Sequence, residues 1–314
     1  MRRMPWTTKT LQITNEVPEA LRKADRAVQS LAGTSRSQTV GLFDAQCVTV
    51  NGEPCAAPWR RLAVGDVLTV HYNPDQRYAP KKKPPKYLGF RILFEDPQVI
   101  VVEKPAGWLT VPSPKGERNT LIQRISDYLT RLNRRRRVRV HAVQRLDRGV
   151  SGVLVFAKTI EAMNHLRRQF EAHRPEREYI AIVAGVVDPP EGTFRSYLAT
   201  SKSLKRYSTN DPRKGELAIT HYRTDRRLAG ATLVRVRLET GRRNQIRVHF
   251  AEAGHPVLGD QRYEHERAKH PRWPYPRLAL HAALLAFEHP LTGATCHFEA
   301  PLPQEFHHFL GGDA

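Results

Sequence analysis

The chain keeps one carboxylate where a carboxylate is hard to keep. Residues 144–158 read Gln-Arg-Leu-Asp-Arg-Gly-Val-Ser-Gly-Val-Leu-Val-Phe-Ala-Lys. The apolar run Val153 to Ala157 predicts a buried strand. Just before it, Asp147 lies in a glycine-containing loop between Arg145 and Arg148. A carboxylate beside a buried strand loses its hydration unless a fixed cation pairs with it or a reaction uses it. An ionised carboxylate held there could act as a nucleophile or stabilise charge. The same letters also suit a plain surface turn, because Asp-Arg-Gly is common turn chemistry. Tyr179 poses a similar choice. It sits among Ile, Ala and Val, where a tyrosine is usually a core aromatic and less often a ring presented to a ligand.

Five blocks in order resolve the choice by resemblance. Gln144 to Gly152 is similar to the signature His-Arg-Leu-Asp-x-x-Thr-Ser-Gly of the ribosomal large-subunit type of RNA pseudouridine synthases. Lys104-Pro105-Ala106-Gly107-Trp108 resembles that family's first motif. Arg177-Glu178-Tyr179-Ile180-Ala181 resembles its tyrosine motif, and Gly241 to His249 (GRRNQIRVH) its arginine motif. Leu278 to Gly293 (LALHAALLAFEHPLTG) resembles its C-terminal block. The resemblance spans about residues 91–303, and five ordered blocks are far more specific than any one alone.

The resemblance implies a reaction and roles. Such an enzyme cuts the bond between uracil nitrogen 1 and the sugar, turns the base, and rejoins it through carbon 5. Nothing is oxidised or lost, so no cofactor and no metal is expected. The chain agrees in having no P-loop, no dinucleotide-binding glycine fingerprint and no His-Glu-x-x-His. Asp147 would be the catalytic carboxylate. Arg247 would be its cation, presenting a planar fork to it. Tyr179 would stack on the extruded uracil. Arg145 would fill the gap left by the flipped base, with Gln144, Asn244 and Ile246 as further RNA-binding positions. The chain departs from the family pattern at three places: Gln144 and Asn244 stand where His is usual, and Val150 where Thr is usual. Gln and Asn keep hydrogen-bonding capacity but cannot titrate. The departures therefore bear on target identity more than on reaction type.

The elements that must position these residues read as an α+β domain over residues 91–314. The resemblance implies a pseudouridine synthase fold, with a central mixed, largely antiparallel sheet flanked by helices. Val99 to Val102, Tyr179 to Val187 and Leu233 to Leu238 are expected as strands, the last alternating over Val234, Val236 and Leu238. Thr120 is expected to cap a helix carrying Leu121, Ile125 and Leu129, and Thr159 one carrying Ala162, Met163, Leu166 and Phe170. Asn244 to Ala253 reads as a short helix ended by Gly254. Arg134 to Arg137 with Arg139 form the densest basic cluster, either a solvated loop or a grip on phosphates.

Residues 1–72 read as a separate small α+β unit. Leu21, Ala24, Val28 and Leu31 recur at helical spacing, Ser35 offers a helix cap, and Val48-Thr49-Val50 runs into an Asn51-Gly52 turn. Ser35-Arg36-Ser37, Val48 to Gly52 and Gly65-Asp66 are similar to the RNA-binding domain of the ribosomal-protein S-four type. That resemblance makes Ser35, Arg36 and Asn51 RNA-contact candidates; a cap domain without an RNA role is the other reading. Residues 73–90 form a Pro/Lys-rich linker, stiff and cationic.

Composition sets the outer limits. The 314 residues carry a net charge of +20, a pI near 10.3 and 40% hydrophobic residues. A core of ordinary size is affordable, and the charge is the footprint of a nucleic-acid binder or of a merely soluble basic protein. Three scattered cysteines, Cys47, Cys55 and Cys296, make neither a disulfide framework nor a zinc site. No stretch reaches the roughly 20 apolar residues of a membrane span. The expectation is a cytoplasmic monomer whose partner is ribosomal or transfer RNA. Two rivals are a catalytically inactive protein of the same fold acting in ribosome assembly, and an RNA-cleaving or glycosyl-hydrolysing enzyme. The second would ordinarily need two carboxylates, and only Asp147 stands in a catalytic context.

Overall fold

The computed structural model describes residues 6–78, 88–114, 116–133 and 137–311. Residues 79–87 of the basic linker, and Arg134 to Arg136 of the basic cluster, lie outside them. The chain divides into two compact units, residues 1–84 and 85–314.

In the first unit, β1 (Thr7–Gln12) leads through a short 3-10 turn to α1 (Ala24–Ala32) and α2 (Arg36–Asp44). Three strands follow: β2 (Val48–Val50), β3 (Glu53–Pro54) and β4 (Val67–Tyr72). The antiparallel sheet runs β1-β4-β2-β3. Ser35 caps α2 in a full capping box with Gln38. Leu21, expected on the first helix, falls instead in the 3-10 turn that precedes it. Asn51 and Gly52 both take positive φ, which lets two residues reverse the chain between β2 and β3. β1 was not legible as a strand: its Thr-Thr-Lys-Thr face is mostly exposed on a sheet edge, so no buried face gives it an apolar alternation.

The second unit opens with β5 (Arg91–Glu95), β6 (Val99–Lys104), α3 (Leu121–Leu132), β7 (His141–Ala142), β8 (Ser151–Ala157) and α4 (Ile160–Glu171). It continues with β9 (Glu176–Ala184), β10 (Glu191–Thr200), β11 (Arg206–Thr209), β12 (Glu216–Leu228) and β13 (Ala231–Leu238). It closes with α5 (Gln245–Glu252), β14 (Leu280–Glu288), β15 (Thr295–Glu299) and α6 (Gln304–Gly311). Its 11 strands form one sheet whose main path is β11-β10-β12-β13-β9-β14-β8-β6-β5. Among the described residues only β14 and β8 pair in parallel.

The continuous apolar runs of β6 and β8 follow from burial on both faces. Ile100, Val102, Leu154 and Phe156 pack with Leu121, Ile125 and Leu129 of α3. Val99, Val101, Val153 and Val155 pack on the opposite face with Ala162 and Leu166 of α4. Gly152 lets β8 approach β14: a Cβ there would stand 2.1 Å from the Ala282 carbonyl oxygen. Thr159 caps α4 through Ala162 N–H. Thr120 precedes α3, but its hydroxyl bonds the Gln123 side chain rather than the backbone.

β9 starts three residues before the expected strand and ends at Ala184, where Gly185 turns the chain with φ +74°. Glu176, Arg177 and Glu178 hid its start, because charged letters dilute the apolar pattern. α5 also begins later than expected. Asn244 is left-handed (φ 59°) and stands outside the helix as its N-cap.

Candidate active site

Asp147 reaches its place because the loop around it is fastened on both sides. Thr110 Oγ1 donates to the Leu146 carbonyl at 2.9 Å and accepts from Leu146 N–H at 3.1 Å. On the other side, the Arg148 carbonyl accepts from Gly107 N–H at 2.7 Å and from Lys104 Nζ at 3.3 Å. Lys104 is fully buried and also donates to the Pro105 and Trp108 carbonyls. Burial, with the nearby Arg277 charge, pushes its pKa down to about 7, although Asp147 works the other way. The first motif thus acts as a brace for the carboxylate loop. Behind it, Arg277 Nη2 donates to Ser151 Oγ, which bonds His281 Nδ1 at the crossing of β8 and β14.

Arg247 comes from the first turns of α5, where Gln245 fixes the helix start. Its amide accepts from Thr240 Oγ1 and Arg242 N–H and donates to the Ile219 carbonyl and Thr220 Oγ1. Arg247 Nη1 donates to Asp147 Oδ2 at 2.8 Å. The expected fork is present, but against a different carboxylate. Nε and Nη2 donate to Asp260 Oδ2 and Oδ1 at 2.7 and 2.8 Å. The single contact to Asp147 corrects the reading in which Arg247 forked against the catalytic residue itself. A bidentate pair needs both oxygens in one plane, and buried Asp260 supplies them. Burial works against the guanidinium charge, yet the hydrogen bonds and charge of Asp260, joined by those of Asp147, hold its pKa above the usual arginine value.

Asn244 also meets Asp147 directly: its Nδ2 donates to the same Oδ2 at 2.7 Å. The left-handed backbone turns this side chain toward the carboxylate, 97 residues away in sequence. Among the described residues Oδ1 of Asp147 accepts no hydrogen bond, so one oxygen is anchored twice and the other is free to react. Asp147, Tyr179, Asn244, Ile246 and Arg247, with Leu280, line a cavity of about 110 Å³. Burial raises the Tyr179 hydroxyl's pKa; Arg177 opposes and Asp147 adds to that rise.

Arg145 is exposed at the rim of this pocket and also lines a neighbouring cavity of about 610 Å³. Gln144 lines that larger cavity. The three N-terminal candidates lie in the other unit. Ser35 uses its hydroxyl on Gln38 N–H. Asn51 donates to Asp66 Oδ1 and accepts from Val67 N–H. Both are therefore committed to holding local structure, while Arg36 is exposed. Asp260, Lys104 and Gln245 were not singled out as site residues from sequence. Lys104 and Gln245 lie inside recognised motifs, which was signal enough; Asp260 carries no local pattern.

An anchored carboxylate with one free oxygen beside an aromatic wall suits base-handling chemistry. A model of the RNA pseudouridylate synthase family matches residues 98–252. The chain is 31% identical over 313 residues to the ribosomal large subunit pseudouridine synthase D of Pasteurella multocida, covering 95% of this chain and 93% of that protein. It is 34% identical to the enzyme of the same name from Zymomonas mobilis, covering 90% and 91%. The solved structure of human RNA pseudouridylate synthase domain containing 4 shares the fold, with a TM-score of 0.59 at 22% identity over 70% of this chain and 92% of that one. The chain belongs to the RNA pseudouridylate synthase family, and its reaction is the isomerisation of uridine in RNA.

Proposed function

We propose that Asp147 is the catalytic carboxylate, and that the 110 Å³ pocket receives the flipped uracil of a ribosomal RNA. The observation that carries this is the asymmetry of Asp147: Oδ2 is held by Arg247 and Asn244, and Oδ1 is left for the nucleotide. Held this way, the carboxylate keeps its orientation without reorganising during the reaction. It engages the nucleotide as the bond from nitrogen 1 to the sugar breaks. After the base turns, carbon 5 takes that bond and gives up its proton, and nitrogen 1 ends protonated.

Tyr179 supplies the ring on which the splayed base stacks, and its hydroxyl stays protonated as burial dictates. Ile246 and Leu280 give the pocket apolar walls. Arg145, exposed at the rim, fills the space vacated in the RNA. Asn244 acts by holding Asp147, which adds to the RNA contact expected of it. The first unit adds a second RNA-binding surface through Arg36, with Ser35 and Asn51 shaping the elements around it. The protein works as a monomer in the cytoplasm, where ribosomal RNA is available.

The ribosomal target follows from the names of the relatives, and transfer RNA is the competing substrate. Chemical mapping of pseudouridine in total RNA, with and without the gene, separates them. Loss of a modification in large-subunit ribosomal RNA is the expected result. Loss confined to transfer RNA would overturn the assignment.

A further inference from the structure

Among the described residues, no carboxylate neutralises one buried cation on the larger cavity. Arg177 is 6% exposed. Its Nη2 donates to the carbonyls of Leu238 at 3.3 Å and Glu239 at 2.8 Å. Its Nε is buried and has no acceptor among the described residues. No carboxylate pairs with it among those residues, whereas the two other buried arginines are both paired: Arg206 with Glu216 and Arg277 with Glu305. A buried charge without a partner is costly, and burial accordingly lowers the pKa of this guanidinium against the opposing influence of Tyr179.

Two features fix the position of the guanidinium. Gly241 makes room for it: a Cβ at that position would lie 2.4 Å from Arg177 Nη1. The Phe170 ring lies 5.7 Å from its central carbon. Across the same cavity, Gln144 Nε2 is also buried and also without a partner. The two residues that carry these buried, unmatched donors both line one cavity of about 610 Å³. Arg145, Arg167 and Arg242 add positive charge to its lining, against Glu171 alone. A site with unmet donors and excess positive charge is built for an anionic acceptor.

The cavity adjoins the Asp147 pocket, since Arg145, Tyr179 and Arg242 line both. In an RNA whose target base enters that pocket, the anion next to it is a backbone phosphate. We propose that this cavity seats the phosphate next to the target uridine, with Arg177 as counter-charge and the Gln144 amide as second donor. The inference rests on the reading that the Asp147 pocket takes the target base. It also accounts for Gln144. A side-chain amide donates to a phosphate at any working pH, where the histidine of the family pattern would titrate.

The test uses an RNA hairpin containing the uridine that the full chain converts, made with single neutral methylphosphonates at each phosphate near that uridine. Turnover of the unmodified hairpin checks the catalytic reading separately. With the wild-type protein, one flanking substitution should raise KM about tenfold or more, the scale of a lost charge-assisted hydrogen bond. Arg177→Gln should raise KM on unmodified RNA and should lose the penalty at that one phosphate. Gln144→Leu should shrink the penalty in part. The scan on wild-type protein needs no mutation, so it decides the proposal even if the Arg177 variant misfolds. Wild-type indifference to every methylphosphonate overturns the proposal. So does a penalty that Arg177→Gln retains in full. Sensitivity to an abasic neighbour without sensitivity to any methylphosphonate would mean that the cavity reads a base carbonyl, and would also overturn it.

Discussion

Arg247 joins two carboxylates that live under opposite rules. Asp260 is fully buried, takes two parallel bonds from the guanidinium, and accepts backbone N–H groups from Arg262 and Tyr263. Both of its oxygens are occupied. Asp147 has a side chain 20% exposed, receives one guanidinium N–H and one amide N–H on a single oxygen, and opens onto a cavity. One arginine thereby serves two ends. The fork against Asp260 fixes the guanidinium in direction, so its remaining N–H can aim at Asp147 with little freedom left to lose. One carboxylate is scaffold, and the other is held still and left unfinished. A reactive carboxylate must be left short of partners, and of these two only Asp147 is left so.

Neutralising each end in turn should separate the two roles. Asp147→Asn should lower pseudouridine formation by at least about 10⁴-fold, the scale on which loss of a catalytic group acts, with little change in thermal stability. Tritium release from RNA labelled at uracil carbon 5 measures it, and turnover near wild type would remove Asp147 from the chemistry. Arg247→Met strikes the scaffold end. It strands Asp260 as a buried charge, and removing one partner of such a pair costs about 3–5 kcal/mol. Urea unfolding should show that loss, and turnover should fall with it. An unfolding midpoint equal to wild type would mean that the Asp260 pair does not hold the site together.

Part of this comparison was readable in sequence, and part was not, for physical reasons. Asp147, Tyr179 and Arg247 stood out because each lies in a block that resembles a family motif. The buried strands β6 and β8 stood out because burial on both faces writes continuous apolar letters. Asp260 could not be found that way. Its partner lies 13 residues away across a turn, and Gly-Asp-Gln resembles any loop. The Asn244 contact was hidden because its partner Asp147 lies 97 residues away, although Asn244 and Arg247 meet the same carboxylate oxygen. Arg177 was visible as a motif letter, but its lack of a counter-ion among the described residues is a property of packing that only the folded chain displays.

A smaller effect probes the Asp147 end from its other donor. Asn244→Leu removes one hydrogen bond from Oδ2 and keeps the Arg247 contact. A hydrogen bond to a charged group is worth about 1.5–3 kcal/mol, so kcat should fall roughly tenfold or more while the unfolding midpoint barely moves. If KM rose instead and kcat held, Asn244 would serve RNA binding and leave the orientation of Asp147 to Arg247 alone.

The smallest effect concerns the helix that carries Arg247, and it tests whether the scaffold end responds to acid. His249 lies on α5, buried, with Nε2 on Ser196 Oγ and Nδ1 on Thr220 Oγ1. Burial lowers its pKa to about 4. In the unfolded chain the same imidazole titrates near its ordinary value of about 6.5. Between these values the unfolded chain binds a proton that the folded chain refuses, so stability falls as pH drops through that window. By pH 5 this one group should cost about 2 kcal/mol relative to pH 7 or above. His281, whose pKa burial also lowers to about 4, adds a loss of the same sign. His249→Gln keeps an amide between the two hydroxyls and cannot titrate. The loss of stability between pH 7 and pH 5, read from urea unfolding, should therefore shrink by about that amount without vanishing, since His281 remains. An unaltered loss in His249→Gln would show that the imidazole is protonated in the fold, and that α5 is held on β10 and β12 by a charged group.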